Sequence, residues 1–173
     1  MTRLGVNGAA GRMGQTVIET AGERDDVSVS FGIDVDSNAD SEVPLYAPDE
    51  TAGALAEHDP DAIIDFTVPD STVALAKACA DAGVPLVVGT TGVDEDQLSL
   101  LQEASEAVPL LKATNFSRGI QALLTAVREA VASLPGYDVE GTETHHSGKR
   151  DAPSGTAKML VEAIEANHRG VGA

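Results

Sequence analysis

Apolar and polar positions alternate through the first part of the chain with two periods, which predicts short strands followed by amphipathic helices. The run RLGVN is short and apolar, as a buried strand is, and GRMGQTVIETAGE then places Met13, Val17 and Ile18 on one helical face. VSVSFGID, with Val27, Val29 and Phe31 alternating, predicts a second strand. The polar stretch from Val35 to Glu50 carries Pro44 and Pro48 and reads as loop. AGALAEH predicts a short helix, DAIIDFT a strand, and DSTVALAKACADAG a helix stopped by Gly83. VPLVVGTTG is a strand that enters a Gly-Thr loop. DEDQLSLLQEASEA is a helix with acids in its first turn, where the helix dipole favours them, and VPLLKAT is a further strand. Strand–helix units of this length predict an α/β fold, a doubly wound parallel sheet with right-handed crossovers and helices on both faces.

The pattern changes after ATNFSRG. A long helix is predicted from Gly119 to Ser133, ended by LPG. YDVEGTETHH alternates and predicts a strand, and a last helix runs from Ser154 to Asn167. The change of pattern puts a domain boundary near Ala113 to Asn115. It gives a first domain over residues 1–113 and the start of an α+β second domain over 114–173.

Composition narrows the function classes. The 173 residues suffice for one full domain and part of a second. Hydrophobic residues make up 42% but aromatics only 3%, so the core is expected to be Val, Leu, Ile and Ala. Cys79 is the only cysteine, which excludes an intramolecular disulfide; in its Ala-rich helix it reads as a small buried hydrophobe. Acids number 28 against 11 Lys+Arg, for a net charge of -17, and they are spread along the chain. Such a surface repels nucleic acid and anionic membranes. The balance also predicts a halophilic host, in which salt screens the self-repulsion. The chain opens directly into its first strand with no apolar leader, and no stretch is long and apolar enough to span a bilayer. A soluble cytoplasmic protein is expected.

Gly8, Gly11 and Gly14 lie between the first strand and the first helix with the spacing G-x-x-G-x-x-G. Glycines at such a turn let backbone N–H groups approach a pyrophosphate, and the helix N-terminus adds positive potential. Asp34 closes the second strand, where a carboxylate accepts hydrogen bonds from the adenine ribose. A 2′-phosphate would meet that carboxylate, and Asp36 adds to it, so NADH is favoured over NADPH. Arg12 leaves dual use open. The fold is therefore read as Rossmann-type. Two further loops, DFTVP with Phe66 and Thr67, and GTTG with Gly89, Thr90 and Thr91, follow strands at the sheet edge where ligands bind. Their small and hydroxyl side chains suit a nicotinamide ring whose amide is held.

The stretch ETHHSGKRDAPSGTA gathers cations in an acidic protein. From Thr144 to Leu160 there are three Lys+Arg and one acid, Asp151. Such an island attracts a small dianion. His145 and His146 are neighbours on a predicted strand and so point to opposite faces, which weakens a metal reading; no metal is expected. Pro153 pre-sets the entry to the last helix, Ser154 or Thr156 caps it, and N–H groups near Gly155 and Thr156 suit an anion. Lys149 is a point charge for a carboxylate.

Taken together, GAAGRMG, DFTVP, VVGTTG, ATNFSRG and ETHHSGKRDAPSGTA resemble, in order, the 4-hydroxy-tetrahydrodipicolinate reductase (dihydrodipicolinate reductase) family of the diaminopimelate route to lysine. HHSGKRDAPSGTA is specific; the glycine motif alone is not. The resemblance implies NAD(P)H-dependent reduction of an unsaturated cyclic dicarboxylate to tetrahydrodipicolinate. It makes His145 the proton donor and has Lys149 bind and polarise the substrate, with His146, Ser154, Gly155 and Thr156 holding it. Gly8, Ala9, Ala10, Gly11, Arg12, Met13, Gly14 and Asp34 would hold the dinucleotide. Gly89, Thr90 and Thr91, with Ala113, Thr114, Asn115 and Phe116, would line the nicotinamide side and the hinge. Thr114 departs mildly from the family's usual Pro or Ala. Family members continue beyond the position of Ala173 to complete a tetramer-forming sheet, so the resemblance implies a C-terminally truncated chain whose homotetramer and activity are in question. Two rivals stay open: another Rossmann reductase, and a non-catalytic NAD(H)-binding remnant.

Overall fold

The computed structural model describes residues 1–145 and 153–168. The chain forms two compact units, Met1–Ala113 and Thr114–Ala173.

The first unit is a six-stranded sheet, every pairing parallel, in the order β3-β2-β1-β4-β5-β6. Its strands are β1 (Thr2–Asn7), β2 (Val27–Ile33), β3 (Leu45–Tyr46), β4 (Ala62–Asp65), β5 (Leu86–Val88) and β6 (Leu110–Lys112). The helices are α1 (Arg12–Gly22), α2 (Thr51–His58), α3 (Pro69–Ala82) and α4 (Glu95–Ser105). This is the doubly wound, Rossmann-type arrangement, and its order reverses between β1 and β4. One apolar cluster joins Phe31, Ile33, Leu55, Ile63, Leu75 and Leu101, and a second joins Val6, Ala9 and Ile18 with Val17, Val29 and Leu45. The core is thus mainly aliphatic, as its composition predicts, but it also holds the fully buried ring of Phe31 with Tyr46 packed against the same cluster. Cys79 is fully buried, and burial, with the charge of Asp65 second, pushes its thiol up to about 12. It stays a protonated hydrophobe and is no nucleophile.

The structure corrects the pattern in several places. Val29 and Phe31 do not share a face. A register shift opposite Leu4/Gly5 inserts Ser30 as an extra residue, which sends Val29 to the α1 side and Phe31 and Ile33 to the other. Met13 is half exposed, and Gly14, Ile18 and Ala21 form the buried face of α1 instead. Within the stretch read as loop, β3 and a 3-10 turn (Pro48–Glu50) form. Gly32 and Asp34 donate their N–H groups to the carbonyls of Pro44 and Tyr46. Prolines are tolerated there because β3 is an edge strand. Gly83 ends α3 in the left-handed conformation, with φ +74°.

In the second unit, α5 (Arg118–Ser133) and α6 (Gly155–His168) pack through buried Leu124, Val131 and Ala163. Residues 137–145 are exposed and form no strand, against the alternation of YDVEGTETHH. Among the described residues of this unit there is no strand to complete a ladder, and an unpaired strand has no stability of its own.

Candidate functional site

At the carboxyl edge of the first unit, β1 hands over to α1 through the glycine turn. Gly8 has φ +81°, and a Cβ there would lie 2.6 Å from the Phe66 carbonyl oxygen. A Cβ on Gly14 would strike the Gly8 carbonyl oxygen, so only glycine lets the helix close onto the turn. Gly8 and Ala9 donate their N–H groups to the Ile33 carbonyl, and Ala10 donates to Asp34 Oδ2 at 2.9 Å. That bond ties the turn to the end of β2. Asp34 Oδ1 also accepts the Asp36 N–H at 3.1 Å. Helix α1 itself begins bare. Gly11 gives it no side-chain cap and its first turn holds no acid. Its leading N–H groups, from Arg12 onward, thus have no capping side chain and no first-turn acid to meet. The donors fit a pyrophosphate.

Behind this turn lies a carboxylate that sequence reasoning did not single out. Asp65 ends β4 and is fully buried. Its Oδ1 accepts hydrogen bonds from Asn7 Nδ2 (2.8 Å) and Thr67 Oγ1 (2.7 Å). Its Oδ2 accepts from Thr72 Oγ1 (2.6 Å) and Thr90 Oγ1 (2.8 Å). Thr90 Oγ1 in turn accepts the Thr67 N–H at 2.9 Å. Thr90 is 2% exposed, so its hydroxyl is committed inward rather than offered to a nicotinamide amide. Thr91 beside it is exposed, and a Cβ on Gly89 would strike the Phe66 ring. The loops with Phe66, Thr67, Gly89, Thr90 and Thr91 are therefore brought together at the edge where β1 and β4 part. Ala113 continues β6 by donating its N–H to the Val88 carbonyl.

In the second unit, Asn115 Nδ2 donates to Thr156 Oγ1 at 3.2 Å, and Asn115 Oδ1 accepts the Ser117 N–H at 2.8 Å. Thr114 contacts the Met159 sulfur, and Phe116 is exposed. His145 Nε2 lies 2.9 Å from Glu143 Oε2. Glu143 also accepts the Ser154 N–H (2.9 Å) and the Ser154 hydroxyl (2.6 Å). The Ser154 hydroxyl first, then His145 and the Ser154 N–H, hold the Glu143 carboxyl down at about 2. Ser154 is buried and caps α6 by accepting the Ala157 N–H at 3.0 Å. Glu143 and His145 are two residues apart, the spacing that shares a face in extended chain, and this signal was available in the sequence. Nearby, Glu143 and Glu165 are the charged members of a groove of about 500 Å³ that is otherwise largely apolar, with Leu160, Val161 and Ile164. Among the described residues no cation lines it. His146 and Lys149 lie outside the described residues. Gly155 is exposed at the start of α6. Among the described residues no cluster of His, Cys, Asp and Glu has metal-site geometry, and no helix is long and apolar enough to cross a membrane.

The model of the family described as dihydrodipicolinate reductase, N-terminus, matches residues 2–116, and that of its C-terminus matches residues 119–172. The chain belongs to the dihydrodipicolinate reductase family. Among curated reductases of this family, the 4-hydroxy-tetrahydrodipicolinate reductase of Haloarcula marismortui is 53% identical over 95% of this chain and 66% of its own length. That of Natronomonas pharaonis is 47% identical over 92% of this chain and 63% of its own. The chain thus spans just under two thirds of these relatives. Both come from halophiles, in keeping with the excess of acid. A solved dipicolinate-bound dihydrodipicolinate reductase from Paenisporosarcina sp. TG-14 has the same fold, with TM-score 0.82 and 28% identity over 97% of this chain and 67% of that one.

Proposed function

We propose that this chain carries the dinucleotide-binding unit and the beginning of the substrate-binding unit of a cytoplasmic 4-hydroxy-tetrahydrodipicolinate reductase, acting in lysine biosynthesis through diaminopimelate. The observation that carries the reading is a family match on both sides of Thr114, with the motif HHSGKRDAPSGTA intact.

The roles follow from local chemistry. The bare start of α1 and the turn from Gly8 to Gly14 take the pyrophosphate, with Arg12 exposed beside them. Asp34 takes the adenine ribose. Its carboxylate favours NADH, because a 2′-phosphate would stand against it, and Asp36 adds a second negative charge. When bound, the reduced nicotinamide supplies the hydride. Phe66, Gly89 and Thr91 offer the ring a narrow, largely apolar seat. His145 donates the proton that hydride addition to an unsaturated ring demands. Glu143 holds one imidazole nitrogen, which leaves the other to donate. Lys149 and His146, with Gly155 and Thr156, meet the substrate's carboxylates.

The test is oxidation of NADH and of NADPH by the purified chain at high KCl, with substrate freshly formed from aspartate semialdehyde and pyruvate. Substrate-dependent oxidation, faster with NADH, is expected. His145→Gln should lower kcat more than it raises KM, while Lys149→Ala should impair both. Cofactor binding by fluorescence without any oxidation would replace this reading with that of a non-catalytic dinucleotide-binding chain.

A further inference from the structure

The carboxylate of Asp65 is the most buried charge at the ligand-binding edge of the sheet. It ends β4, one of the two strands between which the sheet order reverses; Asn7 ends the other. Burying a carboxylate is costly unless its oxygens are satisfied. Here four neutral donors converge on two oxygens, and no cationic side chain among the described residues pairs with it. The arrangement satisfies the hydrogen bonds and, among the described residues, sets no cation against the charge.

The donors are distributed in a telling way. Asn7 stands at the end of β1, Thr67 and Thr72 on the segment that leaves β4, and Thr90 on the loop after β5. Backbone bonds link the same points. Phe66 donates its N–H to the Asn7 carbonyl at 3.1 Å, and Gly89 donates to the Asp65 carbonyl at 2.8 Å. Each hydroxyl has one proton, and Asp65 offers it the shortest acceptor. A neutral amide at this position would have only one oxygen to offer four donors.

We propose that Asp65 is a positioning residue of the dinucleotide site: it locks the loops leaving β1, β4 and β5, and its charge favours the oxidised, cationic nicotinamide ring over the reduced, neutral one. The inference rests on the dinucleotide half of the function proposed above. In that reaction the hydride, with its two electrons, goes to the substrate ring, and the proton comes from His145. Asp65 exchanges neither. As the hydride leaves, the nicotinamide ring gains one positive charge, and a fixed anion set in place beforehand stabilises that change without reorganisation. The charge is buried, so added salt screens it far less than it screens the acidic surface.

The experiment compares dissociation constants for NAD+ and NADH, by calorimetry, in the unmodified chain and in Asp65→Asn at low and high KCl. NAD+ affinity should fall about tenfold more than NADH affinity, the scale of one charge acting inside a protein, and the ratio should persist in salt. A merely structural role would weaken both forms equally, and that result, or no loss at all, overturns the proposal. Thr90→Val removes one strut but leaves the charge, so it should weaken both forms in parallel; unchanged affinities would overturn the positioning role. If Asp65→Asn does not fold, Ser71→Lys carries the charge test. Ser71 accepts from Asn7 Nδ2 at 3.2 Å and is only partly buried, so a cation there should shift the ratio in the same direction, and an unshifted ratio would overturn the proposal. Failure of the unmodified chain to bind either dinucleotide would sink both this inference and the dinucleotide reading. Binding with the expected ratio but without turnover would sink the reductase alone.

Discussion

Helices α1 and α4 are each 11 residues long, and each follows a strand at the carboxyl edge of the same sheet. Their first turns differ completely. At α4 the Asp94 side chain accepts the Gln97 N–H at 2.8 Å, and Gln97 Oε1 accepts the Asp94 N–H at 3.1 Å. Glu95 and Asp96 add negative charge to that turn, and Gln97 Nε2 reaches Asp70 on α3. At α1 there is a glycine, no cap and no acid, in a chain with 28 acids. Capping and first-turn acids stabilise a helix start, and α1, at the glycine turn, leaves that place open to an anion. On the function proposed above, the anion belonging to α1 comes from outside the chain, whereas the anion of α4 is its own.

The largest effect is expected from Gly14→Val. Its Cβ strikes the Gly8 carbonyl oxygen, which is backbone and cannot move aside. Helix α1 must then lift from the turn, and we expect a loss of stability of about 3 kcal/mol with dinucleotide binding abolished. Thermal melts and a binding titration measure the two effects; unchanged affinity would remove the turn from the site. Gly11→Asp is the milder exchange, giving α1 the kind of start that α4 has. The backbone of Gly11, at φ -74° and ψ 162°, already suits an N-cap, and its Cβ would meet only the Gly8 oxygen at 3.2 Å. Stability should hold or rise by about 1 kcal/mol, while dinucleotide affinity falls at least about tenfold. A gain in stability with affinity intact would show that the bare start is not the anion seat.

Most of the sheet was legible because its strands are apolar runs bounded by Gly, Pro and acids, and its helices carry a period of 3.6. What the pattern missed has physical causes. A single inserted residue, Ser30, reverses every side chain after it, and alternation within β2 gives no sign of that. Strand β3 is two residues of an edge whose pairing depends on β2, so the local sequence reads as loop. YDVEGTETHH alternates like a strand but has no neighbour among the described residues to pair with. At the site, the glycine turn was legible since its spacing is dictated by backbone clearance. Asp65 was passed over because nothing in DFTVP distinguishes a buried hub from a turn acid; its donors come from positions 7, 67, 72 and 90, distant in sequence. Glu143 was missed although its two-residue spacing from His145 was visible.

The smallest effect, and the one that completes the comparison, is expected from Asp94→Ala. It removes the side chain that accepts the Gln97 N–H and leaves Gln97 Oε1 as half of a broken box. The cost should be about 1 kcal/mol, the usual worth of an N-cap, read as a modest fall in melting temperature. Two other features of the α4 start survive, the bond from Gln97 to Asp70 and the acids Glu95 and Asp96, so the helix should persist. Dinucleotide affinity should stay unchanged, since α4 takes no exogenous anion. A drop in affinity comparable to that of Gly11→Asp would mean that the two helix starts act together on the ligand. In that case the division between a self-capped and a ligand-capped helix would have to be abandoned.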